Sequence, residues 1–99
     1  MRLSATQAES IRQLVRQTLG ESCRARVFGS RLDDAGRGGD LDILLEFPDP
    51  VENPALMAAQ MAARMSRLMM GRKVDVLLSA PNLANLKIHE LAQREGALL

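Results

Sequence analysis

Two spacings organise the apolar positions of this chain. Ala8, Ile11, Leu14, Val15 and Leu19 recur every three or four residues, as on one face of a helix, and stop before Gly20. Ser4 and Gln7 precede them at capping-box spacing, so a first helix is predicted between Ser4 and Gly20. Glu9, Arg12 and Arg16 fall on its outer, solvated face. Arg24 to Phe28 reads as a short strand ending at Gly29-Ser30. Asp40 to Phe47 alternates acid and apolar residues at its start and reads as a second strand. Pro48-Asp49-Pro50 closes it, since proline continues neither a helix nor a central strand. Asn53 as N-cap, Pro54 and Gly71 bracket a long helix. Lys73 to Ser79 is a third strand, and past Pro81 comes a last helix that Asn82 or Asn85 would cap. Leu86, Ile88, Leu91 and Ala92 form its apolar side, and Gly96 stops it.

The order helix, strand, strand, helix, strand, helix predicts one small α/β (α+β) domain over residues 1–99. Its sheet is expected to be three-stranded and mixed, with the helices on one face and a site on the other. In the long helix Met57, Met61, Met65 and Met69 recur every four residues among alanines. Such a stripe reads either as core packing against the sheet or as an adaptable surface for a protein partner. Residues 30–34 fit a single helical turn, and Gly36, Gly38 and Gly39 keep the approach to Asp40 flexible. That loop suits closure over a ligand and an ordinary connection equally.

Strand periodicity puts Asp40 and Asp42 on one face, about 6.6 Å apart at ~3.3 Å per residue, with Leu41, Ile43 and Leu45 on the other. Val74-Asp75-Val76 repeats the arrangement with a single acid. In matched register three carboxylates would converge, each pair repelling by about 3 kcal/mol at ~5 Å and an effective dielectric near 20. Something cationic is expected among them. Oxygen-only donors suit Mg²⁺, and a carboxylate-bridged metal pair suits an in-line phosphoryl displacement. A glycine after a strand lets backbone N–H groups approach a phosphate, and Ser30 adds a hydroxyl donor. The pattern Asp-Leu-Asp-Ile is also that of a half-exposed strand. Against this, each acid is followed on its own face by leucine, Asp42 by Leu44 and Asp75 by Leu77, as at the rim of a cleft rather than along a solvated face.

Phe28-Gly29-Ser30, a spacer, Asp40-Leu41-Asp42-Ile43 and a later Val74-Asp75-Val76 resemble, in that order, the signature of the DNA polymerase β superfamily of nucleotidyltransferases. The small size is similar to that of its minimal stand-alone branch, called MNT or MntA-like. Such proteins are often encoded beside a HEPN-domain toxin, which they inactivate by transferring AMP from ATP to it. The resemblance implies that Gly29, Ser30 and Arg31 bind the nucleotide and that Asp40, Asp42 and Asp75 hold Mg²⁺, as a pair of ions, with ATP as substrate. Asp75 would also help to activate the acceptor hydroxyl, a tyrosine of the HEPN-type toxin. The spacer departs from the pattern in carrying Asp33, Asp34 and Arg37. Arg31 and Arg37 either reach phosphate or pair with those acids. A second reading keeps the fold and neutralises a partner by contact alone, although a pure binder has no need of a repulsive acid cluster.

Composition narrows the acceptor. Ninety-nine residues leave no room for a second substrate-binding domain, unlike the aminoglycoside-modifying relatives. A net charge of +1, with two Phe and no Trp or Tyr, lacks the basic field and stacking platforms of nucleic-acid binders. The single Cys23 cannot close an internal disulfide, and no signal peptide or long apolar span is present, so a cytoplasmic protein without membrane contact is expected. Cys23 and His89 read as packing or surface residues rather than nucleophile and base. A homo-oligomer is left open.

Overall fold

The computed structural model describes residues 3–28, 41–84 and 86–99. Three helices, α1 (Ala5–Leu19), α2 (Pro54–Leu68) and α3 (Lys87–Glu95), accompany four strands, β1 (Arg24–Phe28), β2 (Leu41–Glu46), β3 (Val74–Ser79) and β4 (Ala97–Leu98). The strands form one mixed sheet in the order β3-β2-β1-β4. β1 runs antiparallel to β2 and to β4, whereas β2 and β3 are parallel. A parallel pair needs a crossover, and α2 supplies it.

Helix α1 forms as its pattern predicts. Ser4 Oγ accepts from the Gln7 amide and Gln7 Oε1 from the Ser4 amide, both at 3.1 Å, while Gly20 closes the helix at φ 92°. Pro54 opens α2, but the Asn53 side chain makes no cap bond. Asn82 does not cap α3 either: its amide clamps the Val51 backbone, donating to the carbonyl at 2.8 Å and accepting from the N–H at 2.9 Å. Leu86 takes the N-cap position of α3, and the His89 ring serves it instead. His89 Nδ1 accepts from the Leu86 amide at 3.0 Å, and Nε2 lies 2.8 Å from the Leu78 carbonyl. The backbone amide fixes the tautomer, so Nε2 carries the proton and donates to Leu78. His89 is therefore a buried packing residue that ties α3 to β3.

The main core lies between α1, α2 and one face of the sheet. Ile11 and Val15 of α1 meet Leu41, Ile43 and Leu45 of β2 and Met61, Met65 and Met69 of α2. The methionine stripe is thus core, with Met57 packed against its margin. Unbranched thioether chains fill the gap between a helix and a twisted sheet.

Two expectations about the sheet need correction. A fourth strand is present, where Ala97 and Leu98 pair with Val27 and Arg26. The helices also do not share one face, because α3 crosses the opposite face, where Ala92 packs with Phe28 and Leu44 and with Leu77 beside them. A short helix with an apolar side must bury it, and those residues offer the apolar surface left over.

Cys23 is buried in the main core. Burial pushes its thiol up to about 12, with a smaller push from the negative charge of Glu46. Because the folded value lies above the ordinary 9.0, folding favours the neutral thiol. Its contribution to stability is complete below pH 9 and is lost as pH rises towards 12. Cys23 is expected to resist iodoacetamide at pH 8 in the native protein and to react on denaturation. Equal alkylation rates in the two states would show that the thiol is not enclosed.

Candidate functional site

Of the residues singled out from the sequence, Gly29, Ser30, Arg31 and Asp40 lie outside the described residues, as do Arg37 and the proposed helical turn over 30–34. Asp42 and Asp75 are described, and the sheet brings them together. β2 and β3 pair with Leu41 opposite Val74 and Asp42 opposite Asp75. Paired residues project to the same face, and adjacent strands are about 4.8 Å apart, so the two carboxylates are direct neighbours.

The face that carries them is ordered in three rows. Phe28, Asp42 and Asp75 form the first; Arg26, Leu44 and Leu77 the second; Arg24, Glu46 and Ser79 the third. Helix α3 lies over the middle of this surface, where Leu44 is fully buried. At the far end, Glu46 accepts from Arg26 Nε at 2.5 Å and from Gln93 of α3 at 3.2 Å. In the first row Phe28 is buried against Ala92, whereas Asp42 is half-buried and Asp75 exposed. The change from acid to leucine along both strands is the boundary of the helix footprint.

A cation that the motif does not announce stands beside this pair. Lys73 Nζ stands 4.0 Å from Asp75 Oδ1, a long contact between side chains that are about half exposed or more. Such a pair is worth at most about 1 kcal/mol. Its signal was available, because residues i and i+2 of an extended segment share a face, and Lys73 lies two before Asp75. Lys73 also holds the strand end, its carbonyl accepting from the Leu41 amide at 3.0 Å.

Among the described residues, no group of three or more His, Cys, Asp or Glu is close enough to hold a metal ion. The pair supplies carboxylate oxygens from two strands, the hard donor type that Mg²⁺ takes in ones and twos beside substrate phosphates. The donor set therefore fits Mg²⁺ as part of a site. A separate groove of about 370 Å³ runs between α1 and α2, lined by Thr18, Leu56, Met57, Gln60 and Arg64 among others, and includes neither carboxylate. No described helix is long and apolar enough to cross a membrane.

No protein-family model matches the sequence, and no curated protein matches it. Among solved structures, the chain is similar to a chain in the crystal structure of the toxin-antitoxin MntA-HepT. The likeness has a TM-score of 0.67 at 17% identity and covers 96% of this chain and 70% of that one. At this identity the likeness is one of fold, and the fold it establishes is the small nucleotidyltransferase fold that the Gly-Ser and Asp-Leu-Asp-Ile motif implies.

Proposed function

We propose that this chain is a nucleotidyltransferase that acts as an antitoxin, moving AMP from ATP to a tyrosine hydroxyl of a HEPN-type toxin. The observation that carries the reading is the register pairing of Asp42 with Asp75 on the face that α3 crosses, with Asp42 half-buried and Asp75 exposed. Two neighbouring carboxylates repel, and a fold keeps such a pair at an open edge where a cation is to be bound. The shared fold with a chain of a toxin-antitoxin structure supports the antitoxin role.

In this reading Asp40, Asp42 and Asp75 hold Mg²⁺, and Gly29, Ser30 and Arg31 hold the triphosphate. Held there, Mg²⁺ would supply charge neutralisation at the phosphate oxygens. Asp75, on the exposed side of the pair, accepts the proton of the acceptor hydroxyl. The hydroxyl oxygen bonds to the α-phosphorus, the α–β bridging P–O bond breaks, and pyrophosphate departs. Positioning and electrostatics do most of the work in such a transfer.

Transfer of label from α-labelled ATP, with Mg²⁺, into proteins of a native-host lysate tests this. Label on a discrete protein, identified by mass spectrometry, is expected. No label, with the same partner still recovered in a pull-down, would replace the enzyme by a module that neutralises its partner through contact alone.

ATP with Mg²⁺ should also raise the melting temperature. At about 100 times Kd the linkage amounts to ~2.7 kcal/mol, on the order of 10 °C for a domain of this size. Ser30→Ala is expected to reduce this shift. An undiminished shift in that variant would remove Ser30 from the phosphate site.

A further inference from the structure

β3 lies at an edge of the sheet and pairs, among the described residues, with β2 alone. The Leu41 amide donates to the Lys73 carbonyl and the Phe47 amide to the Ser79 carbonyl. The odd-numbered residues of β3 therefore turn their backbone groups towards β2, and the N–H and C=O of Val74, Val76 and Leu78 point away from the sheet. His89 Nε2 already donates to the outward carbonyl of Leu78. The outward N–H and C=O of Val76 have no partner among the described residues. Such an edge is a template for one more strand.

The surroundings of Val76 select what can lie along it. A groove of about 360 Å³ runs there, lined by Pro54, Ala55 and Ala58 of α2 and by Leu83 and Leu86 ahead of α3. Leu86 is 55% exposed, a large apolar side chain that the fold leaves uncovered. The backbone groups call for an extended chain, and the lining calls for apolar side chains on it. Register adds a third condition. Asp75 immediately precedes Val76 and is exposed on the face that also carries Asp42. In an antiparallel strand added at this edge, the residue opposite Asp75 projects to that same face, its Cα about 4.5 Å from that of Asp75. One position of the added strand thus starts beside the carboxylate that takes the acceptor proton.

We propose that the acceptor protein docks by adding an extended segment to the β3 edge, with its reactive tyrosine opposite Asp75 and an adjacent apolar residue opposite Val76. This rests on the nucleotidyl-transfer reading above. Val76 exchanges N–H···O bonds with that adjacent residue, whose side chain falls on the α2 side of the sheet and enters the groove beside Ala55 and Ala58. The tyrosine falls on the opposite side, with Asp75. Main-chain pairing supplies affinity, and the groove supplies the preference for an apolar neighbour. A slip of one residue would turn the tyrosine to the wrong face, and His89, seated on the Leu78 carbonyl, ends the pairing surface and so helps to fix the register. Val76 and Ala55 touch no reacting atom; they set affinity for the acceptor.

The test uses as acceptor the purified protein that receives label from α-labelled ATP. Val76→Pro removes the outward N–H and leaves the β2 ladder intact, since an edge strand tolerates proline where its nitrogen faces outward. Ala55→Lys obstructs the groove from an exposed position of α2 and keeps the test open if the proline variant does not fold, which thermal melts decide. The expected result is a rise of about tenfold or more in acceptor KM for each folded variant, with the KM for ATP unchanged. In the wild type, the Val76 amide should exchange rapidly in the free protein and become protected when acceptor is added. Unchanged acceptor KM in Ala55→Lys and an unprotected Val76 amide, with wild type still labelling the acceptor, overturn the docking mode and leave the transfer reading intact. A Val76 amide already protected before acceptor is added, in a particle of twice the monomer mass, gives the edge to a second copy of this chain and overturns it as well. Absence of label with the wild type itself removes the transfer reading and this inference together.

Discussion

Asp42→Asn is expected to lower nucleotidyl transfer by about 10²-fold or more while leaving the domain folded. Its neighbour across the β2–β3 ladder is Asp75, and the two charges repel by up to about 3 kcal/mol at ~5 Å before solvent screening reduces the figure. Asparagine keeps the shape of the side chain and removes one charge, so the repulsion disappears together with half of the described donor set. Activity and stability should therefore separate: transfer is lost, and the domain stays folded. The assay is initial-rate labelling of the acceptor from α-labelled ATP, with thermal unfolding of the same samples followed by circular dichroism. Transfer at the wild-type rate would take Asp42 out of the site. A large fall in melting temperature would mean that the carboxylate is there for structural reasons.

Gly96→Ala should be among the more damaging conservative changes in the chain. Gly96 has φ −74°, a conformation that any residue adopts, so its glycine is not required by the backbone. The requirement is space. A Cβ at this position would stand 2.3 Å from the Ala92 carbonyl oxygen, 3.1 Å from that of Val27 and 3.3 Å from Phe28 Cβ. Two of these atoms belong to the backbone and cannot turn aside. Overpacking of this kind costs about 1–3 kcal/mol, or ~5–20 °C in melting temperature for a domain of this size. The loss should concentrate where α3 passes into β4, so amide exchange at Ala97 and Leu99 is expected to quicken first. Unchanged stability would show that α3 can lift from the sheet without penalty.

Gly96 illustrates what the sequence could and could not convey. As a helix terminator it was legible, and α3 does end before it. That it lies against β1 was not legible, because nothing near Gly96 in the chain refers to Val27 or Phe28. β4 escaped notice for a related reason: two residues have no alternation to detect, and Ala97-Leu98 becomes a strand only because β1 offers an unpaired edge. Asn82 has the residue type of a cap, but the Val51 backbone, 31 positions away, competes for its amide. His89 took over the cap because its ring also reaches the Leu78 carbonyl and so satisfies both nitrogens.

The candidate site was legible to the same depth. Alternation put Asp42 opposite in facing to Leu41 and Ile43, and the two leucines that follow the acids announced that their face would not stay solvated. The signal that something covers Leu44 and Leu77 was therefore present. Its identity was not, and helices confined to one face was the wrong inference from it. Roles for Gly29, Ser30, Arg31 and Asp40 rest on the motif alone, since these residues fall outside the described ones.

The sequence by itself determined the elements and the facing of their side chains, because helical and strand periodicity, caps and prolines act within a few residues. It determined which acids lie on strands and that each is flanked by apolar neighbours. Only the tertiary structure decided that β2 and β3 pair in the register that sets Asp42 beside Asp75, and that α3 covers Leu44 while Asp42 stays half-buried and Asp75 exposed. Register and helix placement are settled by how much apolar surface each arrangement buries across the whole sheet, a sum over residues far apart in the chain.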